Sequence, residues 1–191
     1  TLQNFLKGIE ESKRAAFIPT GFSPLDNLLD GGLYAGLYII GAISSLGKTT
    51  FCLNVADNIA QAGHDVLIFS LEMARNELIA KSVSRITLIK DLEENGSTAH
   101  AKTTRGILTG TRYADYSQTE RELIQRSIAS YAEYAKNIYI TEGIGNVGVE
   151  EIREKVQKHI KLTGKAPVVL IDYLQIIAPA DLRATDKQNT D

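Results

Sequence analysis

Residues 41–50 read GAISSLGKTT, and no other stretch restricts the possible fold as much. The phosphate-binding P-loop has the form G-x-x-x-x-G-K-[ST], and this segment ends correctly in Gly47-Lys48-Thr49. The pattern's first glycine falls on Ala42, with Gly41 one place early. The physics of the loop decides whether that matters. Backbone N–H groups and the dipole of the following helix hold phosphate, while the lysine reaches the β and γ phosphates and the hydroxyl binds Mg²⁺. Glycine is needed at 47, where the backbone comes closest to phosphate. The first position mainly lets a strand turn into the loop, and alanine is the smallest replacement for glycine. The spacing therefore assigns Ala42, Ser44, Ser45, Leu46, Gly47, Lys48, Thr49 and Thr50 to a nucleotide. A chance G-K-T at a strand–helix turn is the alternative.

The surroundings favour the first reading. The apolar run GLYIIGA reads as a strand before the loop, and Phe51, Leu53, Val55, Ala56 and Ile59 fit a helix that stops before Gly63. DVLIFSLE is a second strand-like run, nearly continuously apolar, as suits a strand covered on both faces in a parallel sheet. A helical pattern follows in ARNELIAKSVSRITLI. The polar stretch from Lys90 to Tyr116 reads mostly as loop with a short helix. SQTERELIQRSIASYAEYAKN is a helix with Ser117 and Glu120 as its capping box. IYIT reads as a strand, VGVEEIREKVQKHIKLTG as a helix closed by Gly164, and PVVLIDYLQII as a final buried strand. Alternating strands and helices of this length indicate an α/β fold with a largely parallel sheet flanked by helices. Residues 1–19 form a linker helix ahead of a domain that spans 20–191.

Two acidic residues follow apolar runs as a nucleotide site requires. Asp172 ends VVLID, where a carboxylate can hold the metal; an unpartnered aspartate inside such a strand would carry a heavy desolvation cost. Its alternative is a strand end near the surface. Glu72 leaves LIFSLEM, again at a strand exit. Ligands of open parallel sheets sit beyond the carboxyl ends of the strands, so Lys48, Glu72 and Asp172 can converge there. Glu72 can then orient and deprotonate the water that attacks the γ-phosphate. By itself Glu72 would read as a charge favouring the next helix's N-terminus.

The blocks TGFSPLDNLLDGGL, LYIIGAISSLGKTTFCLNVADNIA, VLIFSLEM and VVLIDYLQII resemble the ATPase domain of DnaB-type replicative DNA helicases. They are closer still to the helicase modules of phage and mobile-element primase/replication proteins. The resemblance runs from about Thr20 to the end of the sequence, and family members commonly carry alanine where Ala42 stands. It implies a RecA-like P-loop fold, a ring of identical subunits (usually six), ATP and Mg²⁺ as cofactors, and movement along single-stranded DNA. A fused or separate primase is an implied partner. Residue by residue, Lys48 and Thr49 serve phosphate and Mg²⁺, Glu72 is the catalytic base, Asp172 the metal-side carboxylate, and Gln175 a polar group coupling nucleotide state to DNA. The loop lacks the arginine-proline pair often found in the family, and TRYADYSQTE matches the bacterial enzymes poorly. A sensor strand and an arginine reaching the neighbour's ATP would follow RATDKQNTD, so the expected fold is incomplete at its C-terminus and hydrolyses ATP weakly alone.

Other readings compete with the motor. One is a RecA-like recombinase or signalling ATPase, against which SLEM and DYLQ count. Another is a nucleotide-gated assembly or loading factor with little turnover, which would have no need of a positioned base at Glu72.

A net charge of −2 advertises no global affinity for nucleic acid. Arg183 and Lys187 fall where the family has a loop facing the ring's channel and can grip DNA phosphates, with a solvated tail as the alternative. Lys102, Arg105 and Arg112 read as a solvated basic cluster. Leu2, Phe5, Leu6 and Ile9 make one apolar helix face, for this domain or a neighbour. His64, His100 and His159 lack metal-ligand spacing and read as surface residues; Cys52, the single cysteine, reads as a packed small hydrophobe. The absence of an internal disulfide, of a signal peptide and of an apolar run long enough for a bilayer points to the cytoplasm and away from membranes.

Overall fold

The computed structural model describes residues 1–12, 16–43, 45–143 and 148–172. They fall into two compact units, divided between Lys48 and Thr49.

In the first unit, α1 (Leu2–Ser12) exposes Leu2, Phe5, Leu6 and Ile9. A short helix, α2 (Ser23–Leu28), follows a turn organised by Asp26, whose carboxylate accepts the Thr20 N–H and hydroxyl at 2.7 Å each and the Gly21 N–H at 3.2 Å. The Thr20 hydroxyl leads the contacts that hold this carboxyl below its usual range. Backbone bonds pair Ile18 with Leu33, and a Cβ on Gly32 would meet the Ile18 carbonyl oxygen at 2.5 Å, so that approach requires glycine. The expected strand before the loop does not form. Leu37 and Ile39 are 87% and 78% exposed, and residues 37–40 take no strand conformation. A strand exists only through its hydrogen-bond ladder, and this run makes no ladder bond among the described residues.

The second unit is a parallel sheet of β1 (Val66–Ser70), β2 (Ile138–Glu142) and β3 (Val168–Asp172) in the order β2-β1-β3. Its helices are α3 (Lys48–Gln61), α4 (Arg75–Asn95), α5 (Thr104–Leu108), α6 (Gln118–Ala135) and α7 (Val149–Thr163). All five residues of β1 are buried, as the unbroken apolar run requires of a central parallel strand. Leu67 and Phe69 pack against Ile152 of α7, with Val156, Leu71 and Ile171 around them. The β3 strand is less covered than its apolar run suggests. It pairs with β1 alone among the described residues, and Val169 stays 37% exposed.

The helices begin and end where local chemistry dictates. Ser117 and Glu120 cap α6 reciprocally, at 3.3 and 2.7 Å, and Gly164 closes α7 in the left-handed conformation. A partly buried ion pair, Asp57 to Arg85 at 3.0 Å, ties α3 to α4, although burial pushes the Asp57 carboxyl up to about 6. Cys52 is buried on α3, as a packed hydrophobe should be. His159 is not a surface residue. It is buried against Asp65 at 3.0 Å with the Tyr139 ring edge-on, a pairing between residues 94 apart that no local spacing advertises. Lys102 is not solvated either, since its ammonium pairs with Glu120 and lies 4.8 Å from the centre of the Tyr116 ring. Arg105 and Arg112 are exposed. Among the described residues, no helix is long and apolar enough to cross a membrane.

Candidate functional site

In the first unit, the P-loop candidate turns on two left-handed residues, Ser45 at φ 65° and Gly47 at φ 93°. That conformation costs a non-glycine residue roughly 1–2 kcal/mol, so Gly47 is the position with no such penalty. The Leu46 N–H closes the turn on the Ile43 carbonyl at 3.3 Å. Lys48 is the first residue of α3. Ser44, Gln175, Arg183 and Lys187 lie outside the described residues.

In the second unit, the carboxyl ends of the strands collect the polar groups. The Thr49 hydroxyl, on the first turn of α3, donates to Asp172 Oδ2 at 2.6 Å across 123 residues of sequence. Asp172 is 6% exposed, so it does not merely end a strand at the surface. It is held in register by β1, where Ser70 faces Asp172 and the Leu71 N–H continues the ladder to the Asp172 carbonyl at 2.9 Å. Glu72 follows one residue later and is exposed at that rim. The turn carrying it is braced from within: the buried Ser70 hydroxyl donates to the Met73 carbonyl at 2.6 Å and accepts the Met73 N–H at 3.3 Å. Thr50, next on α3, accepts from the Lys81 ammonium at 3.5 Å.

The structure thus brings Thr49 and Asp172 into contact and puts Glu72 beside the strand that carries Asp172. The chemistry of the set is specific. A hydroxyl and a carboxylate in contact are hard oxygen donors of the kind Mg²⁺ takes, and an exposed carboxylate nearby can accept a proton from water. One rim residue escaped the sequence reading. Glu142 ends β2 as Asp172 ends β3, and its carboxylate accepts the Arg75 N–H at 2.5 Å. The signal was there, an acidic residue closing the third apolar run, IYITE.

Residues 17–190 match the family described as the DnaB-like helicase C terminal domain. The chain is similar to the replicative DNA helicase DnaC of Bacillus subtilis (strain 168), at 32% identity over 161 residues, covering 84% of this chain and 31% of that protein. It spans between 18% and 34% of the length of such curated relatives. Two solved structures share its fold. One is described as an ATPase domain, with TM-score 0.76 and 24% identity, covering 99% of this chain and 62% of that one. The other is a DnaB-like replicative helicase described with its primase interactions, with TM-score 0.76 and 26% identity, covering 96% of this chain and 42% of that one. The expected α/β fold, a parallel sheet flanked by helices as in RecA-like helicase ATPase domains, therefore holds.

Proposed function

Since the chain belongs to the DnaB-like helicase C-terminal domain family, we propose that it is the ATP-binding and ATP-hydrolysing motor module of a replicative DNA helicase acting on single-stranded DNA. The observation that carries this reading is the Thr49–Asp172 contact at 2.6 Å, which joins the residue after the loop lysine to a buried strand-end carboxylate. Residues 20–191 are the motor and 1–19 a linker helix whose exposed face, Leu2, Phe5, Leu6 and Ile9, meets a neighbouring subunit in a ring of six. By analogy with the primase interactions described for one structural relative, a primase is the further partner. The cytoplasm is the compartment that suits this work.

The residues divide the reaction as follows. Backbone N–H groups of Ser45 and Gly47, on either side of the Leu46 N–H that closes the turn, receive phosphate oxygens, and Lys48 supplies a positive charge against the β and γ phosphates. Thr49 and Asp172 would hold Mg²⁺, which would neutralise charge on the phosphate oxygens. Glu72 orients a water and takes its proton as the water oxygen bonds to the γ-phosphorus and the bond to the β-phosphate bridging oxygen breaks, releasing ADP and phosphate. Gln175, three residues beyond Asp172, couples the nucleotide state to DNA, and Arg183 and Lys187 grip the strand by its phosphates, without reading sequence.

Replacing either oxygen ligand tests the site. In the full-length protein, Thr49→Val and Asp172→Asn should each lower Mg²⁺-dependent ATP turnover by about a hundredfold, the scale of losing one preorganised electrostatic group. Full turnover in both variants would remove the pair from the reaction.

A further inference from the structure

Glu72 sits in a turn of four residues, Leu71–Ala74, between the end of β1 and the start of α4. Its near end is pinned by the buried Ser70 hydroxyl, which bonds both backbone groups of Met73. The far end ought to be pinned by the N-cap of α4, but that residue is Ala74, which has no side-chain acceptor to offer. Glu77 reaches back to the Ala74 N–H at 3.1 Å, and this completes only half of a capping box. An acceptor for the helix's first N–H comes instead from a different strand. Glu142, at the carboxyl end of β2 and 67 residues away, accepts the Arg75 N–H at 2.5 Å. The Arg75 guanidinium adds a second bond to β2, donating to the Ile140 carbonyl at 2.8 Å. Glu142 is fixed in turn by the sheet, where it faces Ser70 across the ladder and the Gly143 N–H bonds the Ser70 carbonyl at 2.9 Å.

We propose that Glu142 is a positioning residue for Glu72: it tethers the first residue of α4 to β2, so that the turn bearing Glu72 is clamped between two strands of one sheet. A negative charge at a helix N-terminus is favourable anywhere, but a local cap would fix only the helix. A carboxylate delivered from β2 also fixes where that helix starts relative to the strand ends, which is what a base acting on a bound water requires. This role rests on the reading of Glu72 as the base.

The test compares Glu142→Ala, Glu142→Gln and Glu72→Gln in the full-length protein, measuring kcat and KM for ATP with saturating single-stranded DNA, together with nucleotide affinity and melting temperature. Glu142→Ala should lose about ten- to a hundredfold in kcat, as expected for displaced catalytic groups, with KM and nucleotide affinity within about twofold. Glu142→Gln keeps an acceptor oxygen and should recover most of that loss. If Glu142→Ala turns over normally while Glu72→Gln does not, the positioning role fails and the base assignment stands. A Glu142→Ala loss that tracks weaker nucleotide binding or a lower melting temperature likewise overturns it in favour of a structural role. If Glu72→Gln retains full turnover, the base assignment falls and takes the positioning role with it.

Discussion

Asp91 shows how one buried carboxylate fixes a long polar stretch. Its side chain is fully buried on α4 and accepts from Asn95 at 2.8 Å, from the His100 and Ala101 N–H groups at 2.7 and 3.1 Å, and faces His100 Nδ1 at 3.2 Å. These bonds, the Asn95 amide first, hold its carboxyl down to about 2 from the usual 3.8. A depressed folded-state value stabilises the fold fully above the ordinary range, and that contribution is lost as pH falls toward about 2. Asp91→Ala should therefore lower the melting temperature near neutral pH, and its deficit against the unmodified protein should shrink between pH 3.8 and 2. A deficit that stays constant over that window would show that packing, and not the ionised carboxylate, is what Asp91 supplies. Such residues were the least legible in the sequence. His159 and Lys102 read as surface residues because their partners, Asp65 and Glu120, lie 94 and 18 positions away. The place of Asp172 was legible because the aspartate closes an apolar run, which is the run that pairs as β3.

Among elements, the helix ends set by neighbouring residues were read correctly, as were the runs that pair as β1, β2 and β3, and only the run before the loop was not. The capping box of α6 is written in Ser117 and Glu120, three apart, and it forms. Removing its hydroxyl by Ser117→Ala should cost about 1 kcal/mol of unfolding free energy, measured by denaturant titration. Glu120→Ala should cost more, because the same carboxylate also pairs with Lys102 and ties the segment before α5 to α6. Equal costs would mean that the Lys102 pair adds nothing, its desolvation offsetting its attraction. By contrast, residues 37–40 carry all the composition of a strand and form none, since composition cannot supply a partner. The β2 strand has a weaker pattern than that run, with Tyr139 exposed to solvent, yet it pairs with β1 along five residues.

For the molecule as a whole, the order of elements settled the fold class, because alternating strands and helices leave few ways to cover a parallel sheet. The parallel arrangement then determines where the strand-end side chains gather. Among the described residues all three strands end on one edge, and each brings an acidic residue to it: Glu72 just beyond β1, Glu142 on β2 and Asp172 on β3. A general base is worth about 10²–10⁴ in rate, so the central claim can be decided by one carboxylate. The measurement is steady-state ATP hydrolysis by the full-length protein, with and without single-stranded DNA, for the unmodified chain and for Glu72→Gln. A DNA-stimulated motor predicts strong stimulation that the substitution reduces by about a hundredfold or more. Tight ATP binding with negligible turnover in both proteins, DNA present or absent, would contradict the motor and identify a nucleotide-gated assembly factor instead.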